Sequence, residues 1–363
     1  MKLTSSQLRA QALDTFAQSD TLRGAIDQAG FVQADPIRAP ARAQDLILRQ
    51  RLEGYRAGDL ERRYPELEIE EGYLYAYGFL TRPLWQLRHP PDPKGLTKRE
   101  RRLLELVTER GEAHPDHLRE DFGGRALNAW GSYSTVAKLG LERLHHRGLL
   151  RVSRRENGVR VYAPSAPPDE LRSPAERFQA LFDAVLQLLA PIPERSLRAT
   201  LSRQATALRC DVRKVIAAGR AAGQIEAGAL DDATYLWPAA SREVTERQVP
   251  RRVRLLAPFD PLVWDRRRFE QLWGWAYRFE AYTPVKKRVR GYYALPLLWA
   301  DRVIGWANVT RAAGELSVEL GFVGSRPRDR EFKLQLEAEL ERMREFLGAA
   351  QEDGSELDVA SRR

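Results

Sequence analysis

Cysteine, histidine and lysine are scarce in this 363-residue chain, which contains one cysteine, five histidines and eight lysines. The single cysteine, Cys210, excludes an internal disulfide, and with so few histidines it also excludes a cysteine-rich zinc site. No apolar run approaches the roughly 18 residues that a membrane-spanning helix needs. The N-terminus has no apolar signal core. We therefore expect a cytoplasmic protein with no metal centre and no membrane partner.

Several enzyme classes are disfavoured because their motifs are missing. The chain has no Gly-x-x-x-x-Gly-Lys-Ser/Thr phosphate loop, no Gly-x-Gly-x-x-Gly dinucleotide motif and no Gly-x-Ser-x-Gly nucleophile elbow. The histidines show no spacing typical of a metal site. These absences predict a protein that uses no nucleotide cofactor and no other cofactor.

Positive charge, in contrast, is abundant and clustered. The 59 Lys and Arg outnumber the 50 Asp and Glu, and the net charge is +9. Residues 247–290 carry twelve Lys or Arg and four Asp or Glu, and residues 142–160 carry six Arg and two Glu. Because salt screens separated charges over about 8 Å, clusters matter more than the total. Clustered arginines with interspersed aromatic residues favour a phosphate-rich partner, although a solvated basic face is the simpler alternative.

The order of helical and strand patterns predicts an α+β chain of several domains. The clearest part is residues 97–163, where three helical patterns precede two short strands around the turn Asn157-Gly158. Helix, helix, helix and hairpin is the plan of a winged helix, a fold that places a recognition helix against DNA. Residues 173–241 repeat this order less sharply. Three short strand patterns from Val289 to Phe322 indicate a meander that forms part of a small barrel or curled sheet.

These patterns divide the chain into three tandem winged-helix domains followed by a C-terminal β-barrel-like domain. In the first domain, Tyr73, Tyr75, Tyr77 and Phe79 alternate as on one side of a strand. The final helix of the fourth domain is expected at 329–347, and a disordered tail follows it. The predicted boundaries are 1–95, 96–165, 166–245, 246–350 and 351–363.

One short stretch presents an amide and a carboxylate together. Gln33 and Asp35 are two residues apart, and Pro36 forces Asp35 into extended geometry. In an extended chain, residues i and i+2 project to the same side. Local chemistry alone also allows a structural role, in which Asp35 caps the next helix, expected from Pro40 to about Leu52, and Gln33 bonds to the backbone.

The residues around this pair resemble a known family. Gln33-Ala34-Asp35, within VQADPIRAPARAQDLILRQRL, is similar to the Gln-x-Gln or Gln-x-Asp motif of bacterial winged-helix DNA glycosylases of the AlkZ and YcaQ-like group. A second block, Trp130-Gly131-Ser132 through Gly148-Leu149-Leu150, resembles the family's second winged helix. A third block, Leu256-Ala257-Pro258-Phe259-Asp260 through Gly291-Tyr292, resembles its C-terminal region.

This resemblance implies an enzyme that hydrolyses the N-glycosidic bond of alkylated or crosslinked nucleotides in duplex DNA. It implies three winged helices and a barrel wrapped around the DNA, a monomer, and a nucleoid-associated location in the cytoplasm. One stretch departs from the family. Where members that unhook crosslinks have Trp-Ala-His-Glu, this chain has Tyr75-Ala76-Tyr77-Gly78.

On this reading Asp35 is the catalytic base and electrostatic stabiliser, and Gln33 positions the water or the sugar. Tyr77 is a candidate for contact near the lesion. The candidate DNA-binding residues are Arg38, Arg42, Arg49, Arg154, Arg155, Lys286, Lys287, Arg288 and Arg290. Two other functions stay open. The first is that of a non-enzymatic tandem winged-helix DNA-binding protein or transcription regulator. The second is that of an RNA-binding adaptor.

Overall fold

The structure of the chain is a computed structural model. The structure describes residues 2–127, 131–156, 158–241, 244–245, 247–312, 315–348 and 359–362. Trp130 of the second resembling block and Asn157 of the predicted hairpin turn lie outside the described residues. Most of the predicted disordered tail, 351–358 and 363, also lies outside them.

The first segment combines five helices with a small antiparallel sheet. Thr4 begins the first helix with a capping box, and Gly30, at φ +67°, ends the second. Its helices are α1 (Ser5–Ala12), α2 (Leu22–Ala29), α3 (Ala43–Leu48), α4 (Asp59–Arg63) and α5 (Arg82–Arg88). Its strands are β1 (Phe31–Gln33), β2 (Ile69–Tyr73) and β3 (Tyr77–Thr81), in the order β1-β3-β2.

Two local predictions for this segment are wrong. The helix expected from Pro40 to about Leu52 is shorter, since α3 spans only Ala43–Leu48. The tyrosine row does not lie along one strand, because the chain turns between β2 and β3, where Leu74 N donates to Ala76 O at 3.1 Å. The aromatic residue at every second position continues across the tight hairpin. The sequence pattern alone therefore does not reveal the turn.

The second and third segments each end in the predicted hairpin, but short strands lie among their helices. The second contains α6 (Lys98–Arg110), β4 (Arg125–Leu127), β5 (Tyr133–Thr135), α7 (Val136–His146), β6 (Leu150–Glu156) and β7 (Val159–Pro164). The third contains α8 (Pro174–Leu189), β8 (Ile192–Pro193), α9 (Glu194–Leu208), α10 (Val212–Ala221), β9 (Ile225–Leu230) and β10 (Ala233–Pro238). In both segments helices precede an antiparallel hairpin, β6-β7 in the second and β9-β10 in the third.

The C-terminal segment is an open sheet covered by helices. Its elements are β11 (Val253–Leu255), α11 (Pro261–Trp264), α12 (Arg266–Trp273), β12 (Leu295–Trp299), β13 (Arg302–Ala312), β14 (Glu315–Phe322), α13 (Arg330–Leu347) and β15 (Val359–Arg362). The strand order is β11-β12-β13-β14-β15. Because the edge strands β11 and β15 do not pair with each other, the described residues form no closed barrel. This corrects the barrel-like prediction. β15 falls within the tail that was predicted to be disordered.

One hydrophobic core joins the first, second and C-terminal segments. It contains Leu46 of α3, Val107 of α6, Leu255 of β11 and Phe332 of α13, all at most 1% exposed. A buried ion pair reinforces the junction, since Arg51 donates to Asp260 at 2.8 Å. These three segments therefore share one core, which also includes Val32 of the strand that carries Gln33.

Candidate functional site

The Gln33–Asp35 stretch begins at the end of a strand that the sheet holds on one side. Gln33 is the last residue of β1 and lies opposite Gly78 of β3. Ala34 N continues the pairing by donating to Tyr77 O at 2.9 Å. The Oε1 atom of Gln33 is buried and has no hydrogen-bond partner among the described residues. The sheet thus fixes the backbone while leaving this acceptor unused.

Asp35 lies just beyond the strand and is half-buried. Its Oδ1 accepts a hydrogen bond from Ile37 N at 2.9 Å, which closes a local turn. It does not cap the next helix, because the N-cap of α3 is Arg42. Burial raises the pKa of Asp35, and the Ile37 bond opposes that rise only partly. The carboxylate therefore makes a single local bond and keeps further acceptor capacity.

Two of the predicted arginines follow this carboxylate closely in sequence. Arg38 is exposed, while Arg42 is partly buried and forms an ion pair with Glu61. The pKa of Arg42 is lowered first by burial and then by the charge of Arg38. Arg38 is thus available to an anion, whereas Arg42 already has a carboxylate partner.

Arg49 is not placed for DNA contact, which corrects its prediction. Its side chain is 3% exposed and donates to Glu339 of α13 at 2.9 Å. Glu339 is itself buried and also pairs with Arg342 at 2.9 Å. A guanidinium sealed in such a pair cannot reach a phosphate without breaking the junction between segments.

Tyr77 and Arg155 belong to a buried polar network rather than to an open surface. The Tyr77 hydroxyl donates to Glu71, and Arg155 and Arg160 of the β6-β7 hairpin donate to Glu71 at 2.6 and 2.8 Å. Burial opposes ionisation of Glu71, but these arginines and the tyrosine lower its pKa to about 2. Burial and the Glu71 charge raise the pKa of Tyr77 to about 12. The network therefore braces β3, and through it the Gln33 strand.

Arg154, the other hairpin arginine that was predicted to bind DNA, is also paired. It donates to Glu112 at 3.0 Å and to Glu156 at 2.5 Å, and it is 38% exposed. Its charge is largely balanced within the protein. The hairpin is consequently less cationic than its sequence indicates.

The loop after α12 carries the predicted basic cluster, and it is exposed. Lys286 and Lys287 are open to solvent, and Arg288 lies over the Tyr292 ring at 5.0 Å. Buried Glu280 accepts hydrogen bonds from three successive backbone amides, those of residues 289, 290 and 291, at 2.9, 2.8 and 3.2 Å. The fourth predicted cation, Arg290, lies over Trp275 at 4.9 Å.

The residue that follows this loop interacts with Asp35. The pKa of buried Tyr293, which directly follows the loop, is raised by burial and next by the charge of Asp35. The ring of Tyr293 also contacts Phe279 at 5.2 Å between centroids. Tyr293 of the C-terminal segment therefore lies close to the half-buried carboxylate of the first segment.

Sequence reasoning missed a large cleft and its arginines. A cavity of about 930 Å³ lies between the β2-β3 turn, α9 and the start of α12. Arg195, Arg203 and Arg267 line it and are exposed. Among the described residues, no carboxylate forms an ion pair with any of the three. In the sequence, Arg195 and Arg203 stand out only as two arginines eight residues apart on one helix. This spacing is too common to predict a binding site.

Within the described ranges, no cluster of three His, Cys, Asp or Glu side chains is arranged to hold a metal ion. The helices of the same ranges include none that is both long and apolar enough to cross a membrane. The chain thus offers a carboxylate and an amide on a braced strand end, an exposed basic loop and an arginine-lined cleft.

Comparisons with known proteins assign this arrangement to a class. A solved structure, the DNA glycosylase AlkZ of Streptomyces sahachiroi, superimposes with a TM-score of 0.61 over 100% of both chains at 14% sequence identity. At that identity the likeness shows the fold alone. The sequence model of the family described as DNA glycosylase AlkZ-like matches residues 26–346. The chain belongs to the AlkZ-like DNA glycosylase family, and the predicted class of enzyme, a DNA N-glycosylase acting in DNA repair, is confirmed.

Proposed function

We propose that the protein is a monofunctional DNA glycosylase that hydrolyses the N-glycosidic bond of N7-alkylated purines in duplex DNA. The observation that carries this proposal is Asp35, a half-buried carboxylate with one local hydrogen bond, held at the end of a braced strand. Lys286 and Lys287 are exposed on the same chain, and such residues suit a phosphate backbone. The stretch 31–52 contains no lysine, which favours water over an amine as the nucleophile.

The chemistry requires little help for the leaving group. An N7-alkylated purine already carries a positive charge, so it departs as a neutral base when the C1′–N9 bond breaks. The sugar then develops oxocarbenium character, which a nearby carboxylate stabilises. In our proposal Asp35 supplies that negative charge and accepts a proton from the water that attacks C1′. The proton passes to solvent after the abasic product forms.

Gln33 has the acceptor needed to orient this water. Its Oε1 is buried and has no protein partner, and in our proposal it accepts a hydrogen from the attacking water once DNA is bound. Extended backbone places residues 33 and 35 on the same side. The positions of both groups are set by the backbone pairing of Gln33 with Gly78. The amide thus acts by positioning, and the carboxylate acts by charge and proton transfer.

Gly78 limits what the β2-β3 hairpin can offer to a crosslink. A Cβ at residue 78 would lie 2.6 Å from the Phe31 ring, closer than real Cβ contacts allow. A glutamate at this position is therefore incompatible with the present packing. We accordingly propose monoadducts as the better substrate and crosslinks as the poorer one.

A gel-based excision assay tests this proposal. Purified protein is incubated with duplex containing one N7-methylguanine, or one nitrogen-mustard crosslink, and abasic sites are revealed by alkaline cleavage. We expect excision of N7-methylguanine and at least tenfold slower unhooking of the crosslink. No excision of either lesion would contradict the proposed function, and faster unhooking would contradict only the substrate preference.

A further inference from the structure

The hydroxyl of Tyr293 is buried and makes no hydrogen bond. Tyr293 lies two residues before β12, is 4% exposed, and its hydroxyl has no partner among the described residues. The neighbouring buried tyrosine, Tyr277, differs in this respect, since its hydroxyl donates to the carbonyl oxygen of Ala294 at 2.7 Å. Burying a hydroxyl without a partner destabilises a fold, so such a group needs an explanation beyond packing.

The chain on both sides of Tyr293 is held in place. On one side, buried Glu280 binds the backbone amides of residues 289–291. On the other side the chain enters β12, which pairs with β11 and β13. The ring of Tyr293 itself packs edge-on against the ring of Phe279. The hydroxyl therefore has a fixed place, as a group that orients another side chain requires.

Four titratable side chains face Tyr293, and Asp35 interacts with it most strongly. The others are Tyr277, Arg266 and Tyr282. Tyr277 already uses its hydroxyl, Tyr282 is 80% exposed, and the guanidinium of Arg266 carries only donors. The carboxylate of Asp35 is therefore the charged acceptor among these groups.

The Asp35 carboxylate can accept this further hydrogen bond. Its Oδ1 accepts from Ile37 N at 2.9 Å, and within the described part of the chain it forms no ion pair. Two other buried tyrosines, Tyr64 and Tyr75, also have unpartnered hydroxyls near carboxylates. Those carboxylates are held by arginines, Glu70 by Arg151, Glu71 by Arg155 and Asp260 by Arg51. Of the three hydroxyls, that of Tyr293 lies near the carboxylate without an arginine partner.

Burial keeps the phenol of Tyr293 neutral. Burial and then the charge of Asp35 raise the pKa of Tyr293 above its ordinary value of 10. A neutral phenol donates one hydrogen, and an ionised carboxylate is a strong acceptor for it. Catalytic hydrogen bonds are often long in a free enzyme and tighten when the substrate binds. Bound DNA also displaces water from the half-buried carboxylate of Asp35, which then needs donors from the protein.

We propose that Tyr293 is a positioning residue, whose hydroxyl donates a hydrogen bond to the Asp35 carboxylate when lesion DNA is bound. This inference rests on the proposed function, because it concerns the same reaction. The bond holds the carboxylate ionised and directed at the charge that develops on the sugar. Tyr293 thus acts through Asp35 and not on the sugar itself.

Tyr293→Phe tests the proposal because it removes the hydroxyl and keeps the ring. The free protein has no hydrogen bond to lose there, so Y293F should melt at the wild-type temperature or above it. Single-turnover excision of N7-methylguanine should slow about 10- to 100-fold, since a hydrogen bond to a charged group is lost. The pH at half-maximal rate should rise by about one pH unit, because the lost donor stabilised the ionised carboxylate. The affinity for the duplex should not change.

Tyr64→Phe is the matched control. Tyr64 is 2% exposed and its hydroxyl also lacks a partner in the described part of the chain, so the same atom is lost from a similar environment. Its neighbouring carboxylates are Glu70 and Glu71 rather than Asp35. Y64F should therefore keep both the rate and the pH profile. In a D35N background, Y293F should have little further effect on the rate, because the two side chains act as one unit.

A titration of the Asp35 carboxyl group separates this inference from the proposed function. Carboxyl-carbon NMR of labelled aspartate, with D35N identifying the signal, follows Asp35 in the complex with a duplex that carries tetrahydrofuran in place of the lesion nucleotide. We expect a higher pKa of Asp35 in Y293F and an unchanged pKa in Y64F.

Each outcome of these measurements decides one of the two proposals. An unchanged pKa of Asp35 in Y293F would overturn the role of Tyr293, and excision by the wild type would leave the glycosylase proposal standing. A purely structural Tyr293 would lower the rate and the melting temperature of Y293F together without moving that pKa. If the wild type excises nothing, the proposed function fails, and the titration still shows whether the two side chains bond.

Discussion

Replacing Asp35 with asparagine should abolish most excision without weakening the fold. The carboxylate accepts one hydrogen bond, from Ile37 N at 2.9 Å, and the amide oxygen of asparagine can accept the same bond. The loss therefore falls on negative charge and proton acceptance. A well-placed general base contributes about 10²- to 10⁴-fold to a rate, which corresponds to about 3–5 kcal/mol of activation free energy.

The same substitution, although it removes most excision activity, should leave the stability of the fold at pH 7 unchanged or slightly increased. Burial raises the folded-state pKa of Asp35 above its unfolded value of 3.8. The stability that this group contributes is present below the unfolded pKa and is lost as pH rises through the folded pKa. At pH 7 the charged carboxylate is therefore unfavourable to the fold. We expect D35N to melt at the same temperature as the wild type or slightly above it at pH 7.

Single-turnover excision of N7-methylguanine and thermal melting should be measured on the same D35N preparation. The wild-type rate should also fall as pH drops through the raised pKa of Asp35, while the residual rate of D35N should not. Equal excision by D35N would refute the assignment of Asp35 as base. A melting temperature several degrees below the wild type would mean that the carboxylate is structural.

Three further changes test how the arginines are used. Glu71→Gln leaves two partly buried guanidinium groups unpaired and should cost about 3 kcal/mol in urea unfolding at pH 7. Because the folded pKa of Glu71 is about 2, its contribution is present above about 4.5 and lost toward pH 2, so the variant should show a weaker acid dependence. Arg49→Ala should destabilise the fold by about 3 kcal/mol in the same assay, with an unchanged salt slope of DNA binding, whereas a flattened slope would show phosphate contact. The triple alanine variant of Lys286, Lys287 and Arg288 should keep its stability and flatten that slope by roughly 0.9 for each true phosphate contact, and an unchanged slope would show that the loop faces solvent.

The extended geometry of the Gln33–Asp35 stretch could be predicted from sequence because it is local, whereas its catalytic role was suggested only by the family resemblance. Pro36 and the two-residue spacing of Gln33 and Asp35 predict an extended stretch, and the structure shows a strand followed by a turn. The helix boundaries set by Thr4 and Gly30 are local in the same way. In each case the residues that decide the conformation lie within a few positions of one another.

The roles of the arginines were not readable, because their partners are remote. Arg155 meets Glu71 across 84 positions, and Arg49 meets Glu339 across 290. A sequence shows a cluster of positive charge but not which members the fold neutralises. The cleft was hidden for the same reason, since its walls come from all four segments. The predicted barrel failed because alternating strands specify a meander but do not specify whether its edges close.

The most direct test of the account is the release of free base by the wild-type protein from a duplex that contains one N7-methylguanine. Chromatography should detect free N7-methylguanine, and the strand should remain intact until alkali cleaves it, with no borohydride-stable adduct to the protein. A duplex that is bound tightly but returned with its alkylated base in place would contradict the central claim.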